Sequence, residues 1–290
     1  MIYLRSLLFV PGNQPSMLSK AAGLRPDAFV PDMEDSVAWD DKEEARNVVA
    51  DYIETLNQQG KPVIPRLNSL DTGLFQKDLE AVAQTGIYAI SVGKINSEKD
   101  VSLISEAIEK QESKKGIQRG SIKLIPWIET AKGLSRCYEI LTSDQRIIAA
   151  AFGAEDFTND MGIERRADNK EIVYARNQVA ISARAADVLA LDTPYFGFQD
   201  AEGLRVSAQD AKAIGFKGKF AIHPSQIQAI NKCFAPSDSE IEHAKAVITI
   251  FEESKAKGRG STSLNGQVVD VPVVKRAEAL LDQAKEIAAE

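Results

Sequence analysis

Two carboxylates, Glu129 and Asp156, stand 27 residues apart, each at the end of a short apolar run. That interval is about one strand–helix–strand repeat, which puts them at neighbouring strand ends, where strands lie roughly 4.8 Å apart. So placed, they can share one Mg²⁺ at oxygen distances of about 2.1 Å, with positions left for water and substrate oxygens. An all-oxygen set with no nearby His or Cys favours Mg²⁺ or Mn²⁺ over zinc. The same spacing is equally compatible with each acid capping the helix that follows it. Arg66 follows Pro62-Val63-Ile64-Pro65 at the end of another run. Its guanidinium suits a two-pronged grip on a carboxylate or carbonyl oxygen, or an internal ion pair with Asp32 or Glu34, and an acid pair could orient it for the grip. Within Asp32-Met33-Glu34-Asp35, strand alternation sends Asp32 and Glu34 to one side. One of them then stands behind the site, and Asp35 or Ser36 starts the loop. His223, just before Pro224, reads as a wall residue, and His243 lies in a stretch rich in Glu, Lys and Ala. No Ser/His/Asp set and no Walker loop occurs.

These side chains need a scaffold that gathers strand ends. Short β-branched or apolar runs recur at Ser6–Pro11, Ala28–Met33, Pro62–Leu67, Ala89–Lys94, Lys123–Ile128, Ile147–Ala154, Val188–Pro194 and Lys219–Pro224. Helical patterns lie between them, at Asp40–Leu56, Ser97–Lys110, Ala131–Leu141 and Ile172–Ala186, the first with a capping box from Asp40 to Glu43. Strands that are apolar almost throughout, alternating with helices, indicate a parallel sheet covered on both faces. Eight such units predict an α/β fold of the (β/α)₈ (TIM) barrel type over residues 1–235. The competing doubly wound open sheet lacks a G-x-G-x-x-G after the first strand. Barrel active sites lie at the C-terminal strand ends, where this chain sets Asp32, Glu34, Arg66, Lys94, Glu129, Asp156, Asp192 and His223. Residues 236–290 read as a C-terminal helical extension: a helix at Pro236–Glu253, a flexible Lys/Gly/Ser linker at Ser254–Gly266 and a final amphipathic helix at Val271–Ala289. Such a tail could act as a lid or an oligomer arm.

Composition narrows the partners. A chain of 290 residues, 44% hydrophobic and 27% charged, can bury a sizeable core without staples. Cys137 and Cys233 have no metal-ligand or redox spacing, which suggests the reducing cytoplasm. The net charge of −7 argues against a nucleic-acid surface, though a few local cations suffice for a phosphorylated small ligand. No targeting segment and no membrane-spanning run is expected.

Five segments in order then carry a resemblance: Arg5–Gly12, Asp32–Val37, Pro126–Thr130, Phe152–Phe157 and Ala221–Pro224. Together they resemble the citrate lyase β-subunit-like enzymes within the HpcH/HpaI aldolases, which also include malyl-CoA and citramalyl-CoA lyases. The resemblance implies a TIM barrel, usually homotrimeric, that cleaves or forms a C–C bond α to a CoA thioester. It implies Mg²⁺ at the positions of Glu129 and Asp156, and substrate contact at Arg66. Lys20 matches a lysine near the CoA phosphates, and Phe9-Val10 and Ile222-His223 flank the CoA channel. Val269-Asp270-Val271-Pro272 resembles a lid segment whose aspartate reaches a neighbouring subunit's site as catalytic acid/base. Without that resemblance, Asp270 would read as an ordinary helix N-cap. The implied reaction converts a 3-hydroxyacyl-CoA such as citramalyl-, malyl- or citryl-CoA to acetyl-CoA and a 2-keto acid. A class II aldolase on free hydroxy-keto acids is the alternative, as is a citrate lyase β subunit that needs an acyl carrier protein. Gln14 departs from the arginine common in relatives, and an amide lacks the charge-assisted phosphate contact an arginine makes.

Overall fold

A computed structural model describes residues 3–58, 60–166 and 168–288. Eight parallel strands close a barrel in sequence order. They are β1 (Ser6–Pro11), β2 (Ala28–Asp32), β3 (Arg66–Leu67), β4 (Ala89–Val92), β5 (Lys123–Ile128), β6 (Ala149–Phe152), β7 (Leu189–Asp192) and β8 (Gly218–Ala221). Helices follow the strands, and β8 pairs back to β1 through Leu7 and Phe220. The expected barrel therefore forms, and its strands are buried on both faces by lumen and helix layer; most of their residues are apolar, with Ser91 in β4 and Lys219 in β8 among the buried polar exceptions.

Several boundaries shift, each for a local reason. β3 shrinks to two residues, since Pro62 and Pro65 offer no N–H to a ladder; the chain there keeps only isolated bridges through Val63. The sixth and eighth strands stop early because Ala154 and Pro224 already open helices Ala154–Met161 and Pro224–Phe234. Lys94, at φ +56°, turns the chain away from β4. The capping box expected at Asp40 and Glu43 is absent. Residues Trp39–Asp41 form a 3₁₀ turn, the helix proper runs Lys42–Asn57, and no side chain caps it. The helix read over Ala131–Leu141 breaks at Arg136 into Ala131–Ser135 and Cys137–Thr142.

The chain divides into two compact units, one up to Ile230 and one from Asn231 onward. In the second, Ser237 and Glu240 form a reciprocal capping box that starts helix Asp238–Ala256. The stretch read as a flexible linker is instead a β-hairpin, β9 (Thr262–Leu264) and β10 (Gln267–Val269), paired antiparallel. Asn265 and Gly266 join its strands at φ +51° and +79°, the left-handed pair that a two-residue hairpin turn of the right twist requires. Val269 then packs with Val247, Phe251 and Val274 in this unit's own apolar cluster. Among the described residues no helix is long and apolar enough to cross a membrane.

Candidate active site

The C-terminal strand ends surround a cavity of about 320 Å³ whose wall includes Phe9, Asp32, Arg66, Glu129, Asp156 and Ile222. Its acids are held by backbone geometry. After β2 the chain folds over Asp32, whose carboxylate accepts the N–H groups of Glu34 (2.9 Å) and Ser36 (3.1 Å). The buried Lys42 ammonium pins the same turn from behind, donating to the carbonyls of Met33 (2.8 Å) and Glu34 (2.6 Å).

Arg66 reaches into this turn from β3. Its Nε and Nη2 donate to the two oxygens of Asp32, both at 2.7 Å. Nη1 donates to Asp35 at 2.9 Å and lies 3.4 Å from Glu34 Oε2. The internal ion pair is therefore formed, and one two-pronged edge of the guanidinium is already engaged. What remains for a ligand is the outward N–H on Nη1 or Nη2. Burial works against the Arg66 charge, but Asp32, Glu34 and Asp35 more than offset this and raise its pKa further. Burial likewise opposes ionisation of Asp32, yet Arg66 holds its carboxyl below the usual range.

Glu129 follows β5 and is almost fully buried. Its Oε1 accepts the Lys94 backbone N–H at 2.7 Å, so the left-handed turn at Lys94 aims a donor at it. Two glycines make room for the carboxylate. A Cβ on Gly93 would lie 2.8 Å from Glu129 Oε1 and 2.9 Å from Glu34 Oε1, and one on Gly153 would overlap Glu129 Oε2. Glu34 and Glu129 thus present oxygens to one point, and Glu34 Oε1 is buried without a hydrogen-bond partner. Asp156, half-buried, sits in the first turn of helix Ala154–Met161, and that helix starts from Gly153 rather than from an acid. Helix Ala131–Ser135 is capped by Thr130, whose Oγ1 accepts from Gly133. Neither Glu129 nor Asp156 serves as an N-cap, which removes the capping alternative.

The electrostatics follow from this crowding. Burial, with the charges of Glu34 and Asp156, pushes the Glu129 carboxyl well above its ordinary value. Burial, with Asp35 and Asp32, raises Glu34 to about 7 even though Arg66 opposes the rise. Asp156 is raised by burial and by Asp35. The Lys94 pKa is raised as well: burial opposes its charge, but the charges of Glu34, Asp156 and Glu129 more than offset this. Among the described residues no three His, Cys, Asp or Glu side chains form a metal-binding group by themselves.

Other expected site residues lie elsewhere. Lys20 is exposed on helix Pro15–Ala21 and does not line the cavity. His223 is exposed, its Nδ1 2.8 Å from Ser225 Oγ and its ring stacked on Phe198 at 5.1 Å. Asp270 belongs to the second unit, where its carboxylate accepts the Val273 N–H at 3.3 Å ahead of helix Val271–Ala288. Conversely, Asp35, Trp127, Thr193 and Phe196 line the cavity without having been singled out. Trp127 was within reach, since it stands two residues before Glu129 and alternation sends both inward. Thr193 and Phe196 sit in a loop with no such period.

A family model described as HpcH/HpaI aldolase/citrate lyase matches residues 5–224. Citrate lyase subunit beta of Leuconostoc mesenteroides subsp. cremoris is 36% identical over 280 residues, 97% of this chain and 93% of the relative. Mitochondrial citramalyl-CoA lyase of Mus musculus is 31% identical over 98% of this chain and 86% of its own length. The crystal structure of Mycobacterium tuberculosis CitE in complex with magnesium, acetoacetate and coenzyme A superimposes with a TM-score of 0.79, at 31% identity and 97% coverage of both chains. On the barrel, the strand-end acids and these likenesses together, the chain belongs to the HpcH/HpaI aldolase/citrate lyase family.

Proposed function

We propose that this chain is a Mg²⁺-dependent carbon–carbon lyase acting on a short 3-hydroxyacyl-CoA, such as citramalyl-, malyl- or citryl-CoA. The observation that carries the reading is the buried Glu129 carboxylate facing the partnerless Glu34 oxygen beside Asp156. Buried acids without cations are costly, and a divalent ion on Glu129 and Asp156 would relieve that cost. Two carboxylates suffice for Mg²⁺, which keeps waters and takes further oxygens from substrate. When bound, the ion supplies Lewis acidity to the keto or hydroxy oxygen and its neighbouring carboxylate. Asp32 orients Arg66, and the buried Glu34 oxygen without a partner would be available to accept a hydrogen bond once the ion is held by Glu129 and Asp156.

The chain's own residues do the rest. An outward Arg66 N–H holds the oxygen on which negative charge develops. Asp270, supplied by a neighbouring subunit of a homotrimer, takes the hydroxyl proton of the substrate. The C–C bond breaks, its carbon–oxygen end becoming the 2-keto acid and its electron pair passing into the thioester enolate. Asp270 then returns the proton to the α-carbon, which gives acetyl-CoA. In this reading residues 1–235 are the catalytic barrel and 236–290 the lid-bearing extension of a cytoplasmic enzyme. Phe9, Ile222, His223 and Lys20 border the path of the CoA arm.

The test is a Mg²⁺-dependent cleavage assay on malyl-, citramalyl- and citryl-CoA, read by the keto acid released. Asp270→Asn should lose turnover by about 10²-fold or more while binding Mg²⁺ as the parent does. Full activity in that variant would take the acid/base role away from Asp270, and cleavage of the free hydroxy-keto acids in place of the thioesters would point to the free-acid aldolase alternative. An enzyme inert on all three thioesters until an acyl carrier protein is supplied would point to the carrier-dependent citrate lyase subunit.

The raised acids give a pH signature. A carboxyl raised from 4.5 to about 7 on folding, as Glu34 is, contributes stability that is present below the unfolded value and lost as pH rises through about 7. For Glu34 alone this amounts to roughly 3 kcal/mol. The metal-free protein should therefore unfold at lower temperature at about pH 8 than at about pH 5, and saturating Mg²⁺ should restore the stability lost at pH 8. Calorimetry at both pH values checks this. A midpoint in the metal-free protein that does not fall with pH would contradict the buried-acid account.

A further inference from the structure

Below the acids the barrel lumen is closed by three aromatic rings. Phe9 on β1, Trp127 on β5 and Phe220 on β8 stack across it, with centroids 5.9 Å (Phe9–Trp127), 5.0 Å (Phe9–Phe220) and 4.5 Å (Trp127–Phe220) apart. Trp127 and Phe220 are almost fully buried. The indole is also fixed in rotation, because its Nε1–H donates to Ser91 Oγ on β4 at 2.5 Å. Its register partner on β6 is Ala151, so small residues on both sides let the ring fill the lumen. Trp127 and Phe9 both reach the cavity, and the Arg66 guanidinium rests 4.8 Å above the Phe9 ring.

We infer that Trp127 is the specificity-determining residue of this site: its indole forms the floor that limits the group on the reacting keto carbon to hydrogen or methyl. The inference rests on the lyase reading above and says which 2-keto acid that lyase releases. Two physical terms point the same way. The ring stack is anchored and cannot swing aside for a larger group. A carboxymethyl group, as in oxaloacetate, would bring a second carboxylate against the ring stack. There the guanidinium over the Phe9 and Trp127 rings, at 4.8 and 5.8 Å from their centroids, has one edge already committed to Asp32 and its outward N–H to the reacting oxygen. Glyoxylate and pyruvate present no such charge.

The parent enzyme should therefore cleave thioesters yielding glyoxylate or pyruvate at least about tenfold better in kcat/KM than the one yielding oxaloacetate, the scale set by rejecting a misfit group. Trp127→Phe and Trp127→Leu should raise the relative kcat/KM for the larger product by about tenfold. A parent that prefers the oxaloacetate-yielding thioester, or variants that leave the ratio unchanged, would overturn the inference. Fluorescence gives a readout that needs neither turnover nor a stable Trp127 variant. The chain has two tryptophans, and the other, Trp39, is 65% exposed outside the cavity. In Trp39→Phe with Mg²⁺, pyruvate should change Trp127 emission saturably, and oxaloacetate should need about tenfold more. Unchanged emission, or equal sensitivity to both acids, would sink the floor assignment. Failure to cleave any of the three thioesters would instead count against the lyase reading, while the titration still decides the floor.

Discussion

Glu129→Gln should abolish Mg²⁺-dependent turnover, by about 10³-fold or more, while the metal-free variant unfolds no earlier than the parent. The two halves have one cause. A glutamine keeps an oxygen that can accept the Lys94 N–H, and it fits the same space beside Gly93 and Gly153. It removes a charge that burial, Glu34 and Asp156 all disfavour. A neutral isostere there is thus neutral or stabilising for the fold, above all at pH values where the native carboxyl must ionise. The metal loses one of two proposed ligands, so Mg²⁺ binding followed by calorimetry should weaken in parallel with turnover. Retention of near-parent rates would refute the metal assignment. Lost activity accompanied by a large loss of stability would mean that Glu129 is structural.

This expectation depends on features that differ in how far they can be read from residue order. The barrel is legible because each strand is a short apolar run that must be buried on both faces, and because eight such runs recur with helices between. Its acids are legible only in part: the run ends that carry Glu129 and Asp32 stand out, but helix capping and an ion pair with Arg66 explain them as readily until Thr130 and Gly153 are seen in the cap positions. Boundaries are less so, since Pro65 and Pro224 act through single missing donors and a local φ rather than through a period. The hairpin at Thr262–Val269 was hidden by strands of only three residues each, half of them polar, too short for alternation to register. Its Asn265-Gly266 turn was the available signal. At the site, Glu34's partnerless oxygen, the sharing of Arg66 by three acids and the Phe196 wall depend on how loops meet in space. No one-dimensional pattern encodes those meetings.

Arg66→Lys should lower kcat/KM by about 10²- to 10³-fold with little loss of stability, and Arg66→Met should lose both. Arg66 has two obligations that a point charge cannot meet together. It satisfies the almost fully buried Asp32 through two parallel hydrogen bonds, and it must still offer an N–H to the oxygen gaining charge. A lysine ammonium placed to neutralise Asp32 stays close to that carboxylate, so the fold is largely kept while the outward donor is lost. Methionine leaves Asp32 buried without its cation, which costs about 3–5 kcal/mol. It also frees the turn at Glu34 and Asp35 that Arg66 holds beside the proposed metal ligands. The kinetic split distinguishes charge stabilisation from simple substrate grip. A donor acting on developing charge lowers kcat and kcat/KM together in Arg66→Lys, whereas a ground-state contact would raise KM with kcat unchanged. The latter result, or a lysine variant as active as the parent, would confine Arg66 to organising Asp32, Glu34 and Asp35.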